Sequence, residues 1–141
     1  MPANTQPIFS ALGSIQWGAL AITAANTAKD GTGAVTTIAT GNNAGNSAGN
    51  FVQKLIARPL GTNVATVLRV FINNGSVNTT AANNALIGEL TLPATTLTEI
   101  SAQADYVLPL NFVLPAGYKI NVTLGTAVAA GYQISAIGGQ Y

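Results

Sequence analysis

Five basic and four acidic side chains are all the charge in these 141 residues, and there is neither cysteine nor histidine. Without cysteine no disulfide can staple the fold, and nothing points to a redox compartment. Without histidine the usual base for a serine or cysteine nucleophile is missing, as is the commonest metal ligand. The charged groups are Lys29, Asp30, Lys54, Arg58, Arg69, Glu89, Glu99, Asp105 and Lys119, and only Lys29 and Asp30 are adjacent. Strong nucleic-acid binding needs clustered phosphate contacts, which five scattered cations do not supply. No nucleic-acid partner is expected. The apolar run 8–25 has no preceding Lys or Arg and is interrupted by Ser10, Gly13, Ser14, Gln16 and Gly18. That pattern fits neither a signal peptide nor a spanning helix, so a cytosolically made protein with no targeting element and no membrane partner is expected.

Turn signals and short Val/Ile/Thr-rich runs fill the rest. Eight strands are expected: 15–23, 34–40, 51–60, 64–72, 85–92, 106–114, 118–124 and 131–137. Asp30-Gly31, Asn74-Gly75, Pro93 and Pro115-Ala116-Gly117 punctuate them. Residues 1–12, with Pro2 and Pro7, read as an extended arm, and 13–141 as one domain. Residues 41–50 hold four Asn and three Gly and read as an exposed tip. A short helical turn is possible over 95–105. The main helical suspect, 81–90, has no capping box. The fold class is therefore all-β: a single antiparallel sandwich of about eight strands, jelly-roll-like, with an N-terminal arm.

Alternation assigns faces. Tyr118, Ile120, Val122 and Leu124 share one side of their strand, with Lys119, Asn121 and Thr123 opposite. In 64–72 the second face, Ala65, Val67, Arg69 and Phe71, is apolar too. In 106–114 Val107 and Val113 add apolar groups to the outer side. Such faces need cover, and other copies of the chain are the simplest cover; a loop or the arm is the alternative. Tyr118 and Tyr132 read as core. Candidate interface residues are Trp17 beside Gly18, Tyr141, the strand cations Arg58 and Arg69, and Phe71.

Motifs for chemistry are weak. Asp30-Gly31-Thr32-Gly33 lacks the further acids of a calcium loop and reads as a turn. Gly31-x-Gly33 lacks the third glycine and following helix of a dinucleotide site. Glu89 and Glu99, ten apart across a turn, are weighed as a glycosidase-like pair, but nothing beyond their both being acids supports it. Three Asn-x-Ser/Thr matches, at Asn74, Asn78 and Asn121, read as chance in so Asn- and Thr-rich a chain. No catalytic, cofactor or metal residue is assigned, and no enzyme is expected.

AKDGTG (28–33), ARPLGTNVATVLRVFINNG (57–75) and LPLNFVLPAGYKINVTLG (108–125) resemble small structural proteins of tailed-bacteriophage virions, most closely the capsid decoration, or cement, proteins. The resemblance implies a β-sandwich or jelly roll, a homotrimer, and the major capsid protein as partner. It further implies a place on the capsid exterior, where neighbouring capsomers are bridged. It carries no residue-level motif. The alternatives are a receptor- or carbohydrate-binding module of a phage tail fibre and a tail or head-completion protein.

Overall fold

The structure, a computed structural model, describes residues 12–42 and 49–141. It is a β-sandwich of eight antiparallel strands: β1 (Leu12–Trp17), β2 (Thr36–Thr40), β3 (Asn50–Pro59), β4 (Thr66–Asn73), β5 (Asn84–Leu92), β6 (Tyr106–Leu114), β7 (Lys119–Leu124) and β8 (Tyr132–Gln140). Sheet I has the order β1-β8-β3-β6 and sheet II the order β2-β7-β4-β5. Strands β4 and β5 are the innermost hairpin; β3 and β6, β2 and β7, and β1 and β8 pair successively outside it. Rolling that ladder up adds the β3–β8 and β4–β7 pairings. This strand order is that of a jelly roll.

Several boundaries differ from the sequence reading. The first strand runs Leu12–Trp17, not 15–23, so Leu12 belongs to the sheet; the rest of the expected arm, 1–11, lies outside the described residues. Residues 81–90 are not helical: a single 3-10 turn, Ala81–Asn83, leads directly into β5. Residues 95–105 form bends, with one bridge between Thr95 and Asn63. Of the expected tip 41–50, residues 43–48 lie outside the described residues, while Asn50 opens β3 and is buried. Pro109 sits within β6 because β6 is an edge strand, where a missing N–H can face away from the ladder.

The core between the sheets is aliphatic. Leu55, Ala57, Leu68, Val70, Leu92, Leu114, Ile120, Val122, Leu124 and Tyr132 are all completely buried in it. Of the two tyrosines expected in the core, Tyr132 lies in it, while Tyr118 is partly buried against its margin. The Tyr132 hydroxyl makes no well-formed hydrogen bond among the described residues, because the Thr95 hydroxyl beside it donates to Gly61 O instead, and burial pushes the Tyr132 pKa up. A buried, unpaired hydroxyl contributes nothing to offset its lost hydration. Tyr132→Phe is therefore expected to leave stability unchanged or raise it by up to about 1 kcal/mol. Urea denaturation measures this, and a loss above about 1 kcal/mol would show that the hydroxyl has a partner.

The strand β8 runs on through Gly138 and Gly139 to Gln140, beyond the expected stop at Ile137. Opposite Gly138, the pairing of β3 slips between Val52 and Lys54, a bulge. There the β3 backbone closes on Gly138: a Cβ at that position would strike the Phe51 carbonyl oxygen and come within 3.0 Å of Val52 Cα. No other residue type leaves room for that approach.

At one end of the sandwich a buried polar knot joins three loops. Asn63 Oδ1 accepts from the Ala130 and Gly131 N–H groups at 2.9 and 2.8 Å. Asn63 Nδ2 donates to the Gly61 and Gly131 carbonyls at 3.3 and 3.2 Å. Asn63 and Thr95 exchange backbone hydrogen bonds, and the Thr95 hydroxyl donates to Gly61 O at 2.8 Å. The Asn63 side chain thus ties the β3–β4 loop to the β7–β8 loop, and the Asn63 backbone with the Thr95 and Gln103 side chains adds the β5–β6 loop.

Candidate interaction surface

The outer face of sheet II is largely covered by its own chain. Residue 25 bridges Leu124 at one end of β7, while Asn84 Nδ2, at the far end of β5, donates to Asp30 O at 3.1 Å. Asn78 Nδ2 donates to the Gly31 and Gly33 carbonyls at 3.2 and 2.8 Å. Segment 25–35 therefore runs along this face before returning as β2. The Asp30 motif is a turn: Asp30 Oδ1 accepts from Thr32 N and Thr32 Oγ1 at 3.1 and 2.6 Å, and these bonds hold its pKa below the ordinary value.

This cover corrects the expectation at Phe71. Phe71 projects from the outer side of β4 between Leu86 and Asn121 and is wholly buried within the single chain. It is closed to a partner. Asn121 and Thr123, on the side of β7 opposite Ile120 and Val122, are buried as well, and Thr37 Oγ1 donates to Asn121 Oδ1 at 2.8 Å. Arg69 lies on the same face, its side chain only 12% exposed, with Nε bonded to Glu89 Oε1 at 2.9 Å. Glu89 is thereby an ion-pair partner of Arg69 across the sheet.

Sheet I is different. The registers place Trp17, Ser135, Ile56 and Val107 in one row across all four strands. The next row is Ile15, Ile137, Lys54 and Pro109, and the next Gly13, Gly139, Phe51 and Val113. All of these point away from the core. Trp17 and Ile15 are each 61% exposed, and Val107 and Val113 more than 40%. A shallow depression in this face is lined by Ile15, Ile56, Ile137, Ser135 and Gln133 and ends at Arg58 and Asp105. Arg58 grips Asp105 through Nε and Nη2 at 2.7 and 2.8 Å. Those bonds, with the attraction between the charges, raise the Arg58 pKa; the same bonds hold the Asp105 pKa below its ordinary value. An exposed pair of this kind adds little stability, but it cancels its own charge at the margin of the face. Lys54 is then the one uncompensated charge in these rows.

The five expected interface residues do not converge. Trp17 and Arg58 share the outer face of sheet I; Tyr141 is half-buried at the end of β8, its N–H on Gly49 O at 3.3 Å. Arg69 and Phe71 belong to the covered face of sheet II. Missed in the sequence were Ile15, Ile56 and Ile137, the apolar centre of the exposed face. A second set of exposed apolar groups, Leu60, Val64, Leu97 and Ile100, lies on the loops around the Asn63 knot.

Among the described residues no three metal-ligating side chains gather, and no helix is long and apolar enough to cross a membrane. No protein-family model, curated protein or solved structure matches the chain.

Proposed function

We propose that this chain is a non-enzymatic structural protein that adheres through the outer face of sheet I, and that it decorates and stabilises a phage capsid by bridging capsomers as a homo-oligomer. The observation that carries the adhesive part is a face spanning four strands that exposes Ile15, Trp17, Val107 and Val113 with almost no net charge. Apolar area of that kind gains roughly 25 cal/mol per Å² when a partner covers it. Many such contacts repeated on a lattice add by multivalency. The virion part is supported by the resemblance alone. Two of its phrases, 57–75 and 108–125, fall on β4, β6 and β7 and on the Asn63 loop. They report the shared sandwich more than the partner.

The test is cosedimentation with capsids lacking this protein. Ile56→Asp with Val107→Asp is expected to weaken binding at least about tenfold, because two charges would be buried unpaired. The denaturation midpoint should fall only modestly: both side chains face outward, although two carboxylates standing opposite each other cost about 1 kcal/mol. Binding should also vary little between low and high salt, unlike a contact between charged surfaces. Full-strength binding by the double variant would remove the reading. Binding to glycans that depends on Trp17 would favour the tail-fibre alternative instead.

A further inference from the structure

The two sheets have four edge strands, and three of them are guarded against pairing. Edge strand β6 carries Pro109 and, at Asn111, a residue with φ of 54°. Edge strand β5 carries Glu89 and an irregular register opposite Val70 and Phe71. Edge strand β2 is short, is bulged between Thr37 and Ala39, and is capped by Gln16, whose side chain bonds to both Thr40 N and Thr40 O at 3.0 and 3.1 Å. Proline, charge, bulges and short length are the usual devices that stop edges from pairing. The fourth edge, β1, has none: Leu12–Trp17 is regular, uncharged and free of proline.

The open groups on β1 can be identified. Gly18 N–H donates to Ile134 O at 3.2 Å, and on the other flank of β8 Tyr141 N–H donates to Gly49 O at 3.3 Å. By the alternation of an antiparallel ladder, even-numbered β1 residues bond to β8. Gly13, Ile15 and Trp17 therefore aim their N–H and C=O groups at an edge that is open among the described residues. Water satisfies these groups one by one, but an extended backbone matches the whole row and makes the edge a template for pairing.

We propose that β1 pairs antiparallel with β1 of a second copy, across a two-fold axis at Ile15, joining the two four-stranded sheets into one. Only the register that sets Ile15 against Ile15 pairs all the open residues, because it also sets Gly13 against Trp17 in both directions. Each such pair exchanges two backbone bonds. The side chains agree with it. A Cβ at Gly13 would meet nothing within 4 Å, leaving room for the partner's indole, and aromatic rings covering edge glycines are a known stabilising pair. No charged side chain lies on β1 or on its neighbour β8; Lys54, on the third strand, is the charge in the row of Ile15. The pairing also makes the apolar rows of the two outer faces continuous. It deepens the adhesive reading but does not need a capsid: failure of capsid binding with the pair intact would remove only that reading. It gives an even subunit count, where the resemblance implies three.

The chain has no cysteine, so single thiols report the contact cleanly. Under mild oxidation Ile15→Cys is expected to give a disulfide-linked dimer, the paired Cα atoms standing about 5.5 Å apart. Val113→Cys, on the guarded edge β6, should stay monomeric. Gly13→Cys and Trp17→Cys, mixed as two single variants, should cross-link to each other more than to themselves. Ile15→Pro removes only an N–H that faces the open edge, so the fold should persist while the dimer seen by sedimentation equilibrium weakens at least about tenfold. A reduced Ile15→Cys monomer, a trimer, or equal cross-linking of Val113→Cys would overturn the proposal. So would cross-linking of Ile15→Cys that appears only after residues 1–11 are removed, which would assign the edge to the chain's own N-terminal segment.

Discussion

Asn63→Ala is expected to cost about 3–5 kcal/mol of folding stability. The reason is the asymmetry of buried hydrogen bonds. Removing the side chain leaves the Ala130 and Gly131 N–H groups without their acceptor, and each stranded buried donor costs about 1–3 kcal/mol. Asn63 is itself only 3% exposed, so water does not readily replace it. The Gly61 and Gly131 carbonyls lose a donor in the same step, although Thr95 Oγ1 and Gln103 Nε2 still serve Gly61 O. Urea titration should show a lower midpoint with an unchanged slope. A loss below about 1 kcal/mol would mean that solvent enters the knot and satisfies it.

Gly138→Ala should be nearly as damaging for a different reason. The added methyl meets backbone, the Phe51 carbonyl and Val52 Cα, which cannot rotate aside as a side chain can. Sheet I must open at the β3 bulge; overpacking typically costs about 1–3 kcal/mol, and a clash with backbone falls at the upper end. Gly13→Ala, in the neighbouring strand, is the control: nothing lies within 4 Å of its new methyl, and its effect on the fold should stay within about 0.5 kcal/mol. Thermal denaturation of the pair decides the matter. Similar midpoints for the two variants would show that the close approach at Gly138 relaxes without cost.

These two positions also mark where the sequence stopped being legible. Eight strands were readable because turn residues separate runs of Val, Ile and Thr, and both fold class and core faces followed from alternation. Gly138-Gly139, however, has the composition of a strand end, and the need for a glycine there arises from β3, about eighty residues earlier in the chain. Asn63 sits in a Gly-Thr-Asn stretch that reads as any turn. Its role depends on loops that approach it only after folding.

The exposed face was half legible for a similar reason. Counting by twos along β3 places Lys54, Ile56 and Arg58 on the side of Val52. The bulge between Val52 and Lys54 reverses that order, so Val52 turns inward and Ile56 and Arg58 outward. Trp17 and Arg58, which do lie on this face, stand out locally as an aromatic beside glycine and a cation within a strand. Phe71 was misassigned because its cover, segment 25–35, comes from another part of the chain and reads as a polar turn.

Because Leu12 stands directly opposite Gln140, the sandwich brings its first and last strands together at one corner. A short linker from residue 141 to residue 12 would close the chain into a ring without stretching any pairing. New ends could then be cut in 97–101, where no strand would be interrupted. Such a circular permutant would trade the distant closure of β1 on β8 for a local hairpin, and so should fold faster while keeping the same sheets.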